Sequence, residues 1–240
     1  QNPIIMVDPD GKKAWIVIWA TQSSDATGRM RIGHTGVIVE NYKLKTTASG
    51  VKQYESMGTY TYYDLWPSSA NLGGKAAVQN VEAVYNSQSF YMITNGKKNA
   101  DHSALERYIS KHDMSQLPGM LQNNFSENSI EDYGEGYAPD GIIRLEITGE
   151  QTYHLQQEYI SLIKQGTPYN GESNNCTTFV ANGINNSGIG SVKEERIVDW
   201  RGLLINLNPF HKSFTPNNTY NQLKNSPISV VVKIAGNKTS

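Results

Sequence analysis

The chain has 240 residues, a net charge of −1 and 18% charged side chains, which suits one large domain with a sizeable core and disfavours electrostatic capture of nucleic acid or of an acidic membrane. A single cysteine excludes an internal disulfide, and no apolar run approaches the roughly 18 residues of a membrane span. Abundant Asn, Tyr, Ser, Thr and Gly with few charges, and a start at Gln1 that fits a removed leader, favour a secreted or periplasmic bacterial protein.

Asp8-Pro-Asp-Gly11 signals a turn, and the apolar, β-rich run from Lys13 to Ala20 predicts a buried first strand. After a polar loop, Thr21 to Gly28, comes Arg31-Ile-Gly-His34-Thr-Gly-Val-Ile-Val-Glu-Asn41. This reads as a strand whose mouth is small apart from the imidazole of His34. Gly58 to Pro67 alternates aromatic and β-branched residues and predicts a strand ended by proline. A hairpin through the loop Lys43 to Met57 would pair it with the strand of His34. A polar residue near its far end would then orient the imidazole. Asp64 is the candidate, because a carboxylate on the second ring nitrogen fixes the tautomer and stabilises imidazolium. Tyr62, on the same face under period-two alternation, is the other.

From Pro67 to Pro139 the chain changes character. A helical stretch is predicted from Gly73 through Val84, a short strand over Ser89 to Thr94, and a helix from Asp101 to His112 with Asp101 as N-cap and Leu105, Tyr108 and Ile109 inward. Met114 to Asp140 is rich in Asn, Gly, Ser and Glu. Residues 68–140 are expected as an insertion that walls a cleft. Gly141 to Thr148 then predicts a strand, and Thr148-Gly-Glu-Gln151 a capping box opening a helix through Lys164, with Leu155, Tyr159, Leu162 and Ile163 as its apolar stripe and Gly166 as its end. A turn at Gly188 and Gly190, a short helix over Ile197 to Leu207 and a closing strand from Ser229 to Ile234 complete the chain.

The cysteine lies in Tyr169-Asn-Gly-Glu-Ser-Asn-Asn-Cys176-Thr-Thr-Phe-Val-Ala-Asn-Gly183, where a polar loop becomes a helix. Asn174 and Asn175 suit a helix start, and Phe179, Val180 and Ile184 recur on one helical face. Unpaired N–H groups and the helix dipole would favour the thiolate of Cys176 and could bind an oxyanion. A lone cysteine is otherwise a small buried hydrophobe, but polar flanks and an upstream histidine favour a nucleophile. Asn-x-Ser/Thr triplets at Asn124, Asn175, Asn185, Asn217 and Asn237 read as chance in an Asn-rich chain. Among the other histidines, His102 and His112 fall on a predicted surface helix, His154 starts a helix and His211 follows a proline in a loop. None has metal-site spacing, so neither metal nor cofactor is expected.

These two motifs resemble a family. Gly33-His34-Thr-Gly-Val-Ile-Val39 is similar to the His-x-Gly-hydrophobic strand of NlpC-like cysteine peptidases, and Asn175-Cys176-Thr-Thr-Phe-Val180 to the helix start of their circularly permuted branch, in which His precedes Cys. The resemblance implies an α+β, papain-like fold in one domain over 1–240, with an antiparallel sheet packed on the helix that carries the cysteine. It implies Cys176 as nucleophile, His34 as base and a polar third residue on the next strand. Asn175, Tyr62 and Tyr169 complete the candidate set as contacts to substrate or oxyanion. The expected activity is amide hydrolysis of a peptide or cell-wall stem peptide by a monomer that is not inserted in a membrane. An acyltransferase or lipid esterase on the same scaffold is one alternative. A binding module for carbohydrate or protein, presenting Trp66, Tyr62 and Tyr63, is another.

Overall fold

The structure is a computed structural model that describes residues 12–20, 33–68, 80–94, 97–99, 101–111, 125–126, 138–196 and 212–233. The strands are β1 (Lys12–Trp19), β2 (His34–Thr46), β3 (Lys52–Pro67), β4 (Ala83–Phe90), β5 (Met92–Thr94), β6 (Lys97–Asn99), β7 (Phe125–Ser126), β8 (Gly141–Glu146), β9 (Glu195–Arg196), β10 (Lys212–Ser213) and β11 (Ser229–Lys233). The helices are α1 (His102–Ile109), α2 (Gly149–Gln165), α3 (Cys176–Asn186) and α4 (Pro216–Leu223). The fold is α+β. Six strands form an antiparallel sheet in the order β11-β8-β1-β2-β3-β4, with small sheets β10-β9 and β6-β5-β7 beside it.

The run from Ala14 to Ile18 is wholly buried because β1 lies inside this sheet and both its faces are covered. Ala14, Ile16 and Ile18 point to one side, joining Val37, Val39, Tyr63 and Leu65 against Leu155 and Tyr159 of α2, Phe179, Val180 and Ile184 of α3, and Leu223 of α4. Trp15 and Val17 point to the other, where Ile38, Tyr60 and Tyr62 meet Leu105, Tyr108 and Ile109 of α1. Period-two alternation along three neighbouring strands thus divides two cores.

The helix ends follow local chemistry. Asp101 caps α1 through Ala104 N–H. Thr148 and Gln151 form the reciprocal capping box of α2, and Gly166 ends it in the left-handed conformation at φ 61°.

Several expectations change. β2 and β3 run on far past the predicted hairpin ends, so the connection shrinks from Lys43–Met57 to residues 47–51. Cross-strand pairing carries these polar segments where apolar alternation stops, with a register shift between Glu40 and Tyr42. Val84, expected to close a helix, lies in β4, because it pairs with Trp66 on the edge of the sheet. The strand expected over Ser89 to Thr94 divides between β4 and β5. In the segment expected as an insertion, β4 belongs to the main sheet and α1 covers its second face. His102 is not a surface residue: its Nε2 lies 2.9 Å from the buried carboxylate of Glu40, and its ring packs near Trp15. α4 starts on local chemistry as well, since Thr215 caps it and Pro216 opens it. The predicted turn at Asp8–Gly11, the loop Thr21–Gly28 and the helix Ile197–Leu207 lie outside the described residues.

Candidate active site

Cys176 is the first residue of α3, and Asn175 is its N-cap. The Asn175 carboxamide oxygen accepts from Thr178 N–H at 2.9 Å, and its amide donates to Gly171 O at 2.9 Å. That side chain, expected to contact substrate or oxyanion, is therefore committed to building the turn. Phe179 N–H is satisfied by Asn175 O. The N–H groups of Cys176 and Thr177, at the first two helical positions, have no acceptor within the helix.

His34 begins β2, beside Trp19 of β1 in the sheet register. Continuing the pairing of Val37 with Tyr63 along the same ladder brings His34, Gly36 and Ile38 onto one face with Trp66, Asp64 and Tyr62. The imidazole stacks on Trp66, with ring centroids 4.1 Å apart and planes 22° apart, and meets Trp19 at 5.3 Å. Its Nε2 donates to Asp64 Oδ2 at 2.9 Å, which leaves Nδ1 as the ring nitrogen for the thiol.

Asp64 is fully buried. Its Oδ2 also accepts from Tyr62 Oη and Trp66 Nε1, each at 2.8 Å, and its Oδ1 accepts from Asn86 Nδ2 at 2.5 Å. Four donors therefore compensate a carboxylate removed from water. Tyr62, with its ring buried and its hydroxyl spent on Asp64, has no face for substrate. Gly36 makes this possible: a Cβ there would stand 2.6 Å and 2.7 Å from Tyr62 ring carbons.

The charges of Cys176 and His34 act on each other, and each shifts the other's titration. Burial alone would lower the His34 pKa, but the charge of Cys176 and the hydrogen bond to Asp64 raise it from 6.5 to about 10. Burial alone would raise the Cys176 thiol, and the His34 charge and hydrogen bond, the Thr35 N–H and the Thr177 hydroxyl together bring it below its ordinary value. Thr177 Oγ1 is 3.8 Å from the sulfur and 3.1 Å from Thr35 Oγ1, which joins the helix start to the strand mouth. Burial, and then the charge of Cys176, push the Tyr169 hydroxyl up. At 7% exposure, Cys176 sits low in this polar setting and is not sealed among hydrocarbon.

The structure thus joins His34 to Asp64, couples the charge of Cys176 to His34 and Tyr169, draws Tyr62 in behind Asp64, and assigns Asn175 to a cap. Sequence reasoning missed Trp19, Asn86, Thr35 and Thr177, and knew Trp66 only as a surface candidate. The spacing of Tyr62, Asp64 and Trp66 on alternate positions was a readable signal for Trp66. Asn86 had none, because its strand was not foreseen. Among the described residues no group of three or more His, Cys, Asp and Glu side chains is arranged to hold a metal ion, and no helix is long and apolar enough to cross a membrane. Comparison with protein-family models, with curated proteins and with solved structures gives no match to this chain.

Proposed function

We propose that the protein is a thiol hydrolase of permuted papain-like type that cleaves an amide bond. One arrangement carries the reading: a cysteine at a helix start and an imidazole held by a buried carboxylate shift each other's titration, so that thiolate and imidazolium stabilise each other. The thiolate of Cys176 attacks the carbonyl carbon, and the oxyanion turns to the N–H groups of Cys176 and Thr177, which have no acceptor within α3. Imidazolium Nδ1–H protonates the departing amine, leaving a thioester on Cys176 and a neutral imidazole. The imidazole then takes a proton from water, hydroxide adds to the thioester, and collapse releases the acid and restores the ion pair. Asp64 keeps Nε2–H engaged throughout, which fixes the ring and favours its charged form.

A peptide or cell-wall stem peptide in a secreted or periplasmic setting is the substrate class that goes with this reading. The binding-module alternative loses support, since Tyr62 and Tyr63 are at most 1% exposed. The test is the rate of Cys176 alkylation by iodoacetamide as a function of pH. The reading expects fast alkylation that persists well below the ordinary thiol range near pH 8.5 and is lost in His34→Ala. A rate no greater than that of a free thiol sinks it. A stable thioester formed from a fatty-acyl ester, seen by intact mass, would move the assignment to acyl transfer.

A further inference from the structure

Resting on the hydrolase reading, we propose that Asn86 is a positioning residue of the site: by holding Asp64 Oδ1 it resists rotation of the carboxylate and keeps Oδ2 aimed at His34.

The geometry is asymmetric. His34 Nε2, Tyr62 Oη and Trp66 Nε1 all converge on Oδ2, whereas only Asn86 Nδ2, at 2.5 Å, reaches Oδ1 among the described residues. The two oxygens turn together about the Cβ–Cγ bond, so a donor on Oδ1 adds to the resistance against that rotation and helps to hold Oδ2 on His34. Two of the Oδ2 donors come from β3 itself, as Tyr62 and Trp66 flank Asp64 by two residues on either side. Asn86 comes from the next strand and stands directly opposite Asp64 in the β3–β4 ladder. It therefore ties the carboxylate to β4, as His34 ties it to β2.

The residue type supports a specific role. Asparagine is disfavoured in strands, and the backbone ladder of β4 needs no side-chain amide at that position. Because a carboxylate oxygen only accepts, the NH₂ group of Asn86 must face Asp64, which fixes the amide orientation. Asn86 is half-buried on an edge strand, so its replacement leaves the two cores intact.

The test uses the full chain and iodoacetamide as probe, following Cys176 alkylation between about pH 4 and 9 in wild type, Asn86→Leu, Asn86→Ala and Ser87→Ala. Ser87 pairs with Tyr63 and so faces the opposite side of β4. Loosening Asp64 weakens imidazolium, which weakens its hold on the thiolate. Both Asn86 variants are then expected to move the alkylation midpoint upward by about one pH unit, or about tenfold less thiolate below the midpoint, while Ser87→Ala leaves it in place. An unchanged midpoint in folded Asn86 variants, or an equal shift in Ser87→Ala, overturns the role of Asn86 and leaves the hydrolase reading standing. A wild-type thiol without enhanced reactivity overturns both.

Discussion

Replacing Gly36 by alanine tests how the strand mouth is assembled. The added methyl would lie 2.6 Å and 2.7 Å from ring carbons of Tyr62, where carbon atoms normally stay about 3.5–4.0 Å apart. The ring would have to retreat by about 1 Å to restore that spacing. Tyr62 is fully buried in the cluster with Trp15, Tyr60, Phe90 and Ile142, so it has no solvent to retreat into. A shift of that size also breaks its 2.8 Å hydrogen bond to Asp64. Overpacking together with the lost bond should cost about 2–4 kcal/mol. For a domain of this size that is a fall in Tm of roughly 5–15 °C. Calorimetry on Gly36→Ala, Tyr62→Leu and the double variant separates the causes. Removing the ring should relieve most of the alanine penalty, leaving a coupling above about 1 kcal/mol. If alanine costs the same with and without the Tyr62 ring, or nothing in either background, the account of Gly36 fails.

Two further outcomes follow from the charges. In Cys176→Ser the strongest influence raising His34 disappears, so its pKa should drop from about 10 back toward 6.5, read by NMR titration of the ring; an unmoved titration would contradict the coupling. The stability due to a raised His34 is full below 6.5 and lost as pH rises through about 10, while that due to a lowered Cys176 is full above 9.0 and lost as pH falls through its folded value. The two slopes oppose each other where both groups titrate, and above 9.0 only the His34 loss remains, so stability should fall between 9.0 and about 10. Denaturant unfolding across pH should show that alkaline fall in wild type and lose it in Cys176→Ser. Asp64→Asn replaces an acceptor-only group by an amide that cannot satisfy all four donors. It should destabilise by about 1–3 kcal/mol and slow alkylation near neutral pH; wild-type values for both would show that the carboxylate is not needed.

What the sequence alone determined was whatever local chemistry or a period can specify. The apolar run at Ala14 to Ile18, the alternation from Tyr60 to Leu65, the Thr148–Gln151 box and the polar residues before Cys176 each state their own conformation, because caps, turns and periods act over a few residues. Cys176 and His34 could be singled out as chemistry-bearing residues on the same grounds. Their electrostatic coupling across 142 residues could not, since it depends on which strand neighbours which and on where α3 lies against β2. Register decided the rest. It turned Asp64 from one of two candidates into the partner of His34, set Tyr62 behind it over Gly36, and brought Asn86 in from a strand whose sequence, Ala83-Val-Tyr-Asn-Ser-Gln-Ser-Phe90, carries little apolar alternation. An edge strand is held by its backbone pairing more than by its own side chains, and that pairing exists only once the neighbouring strand is in place.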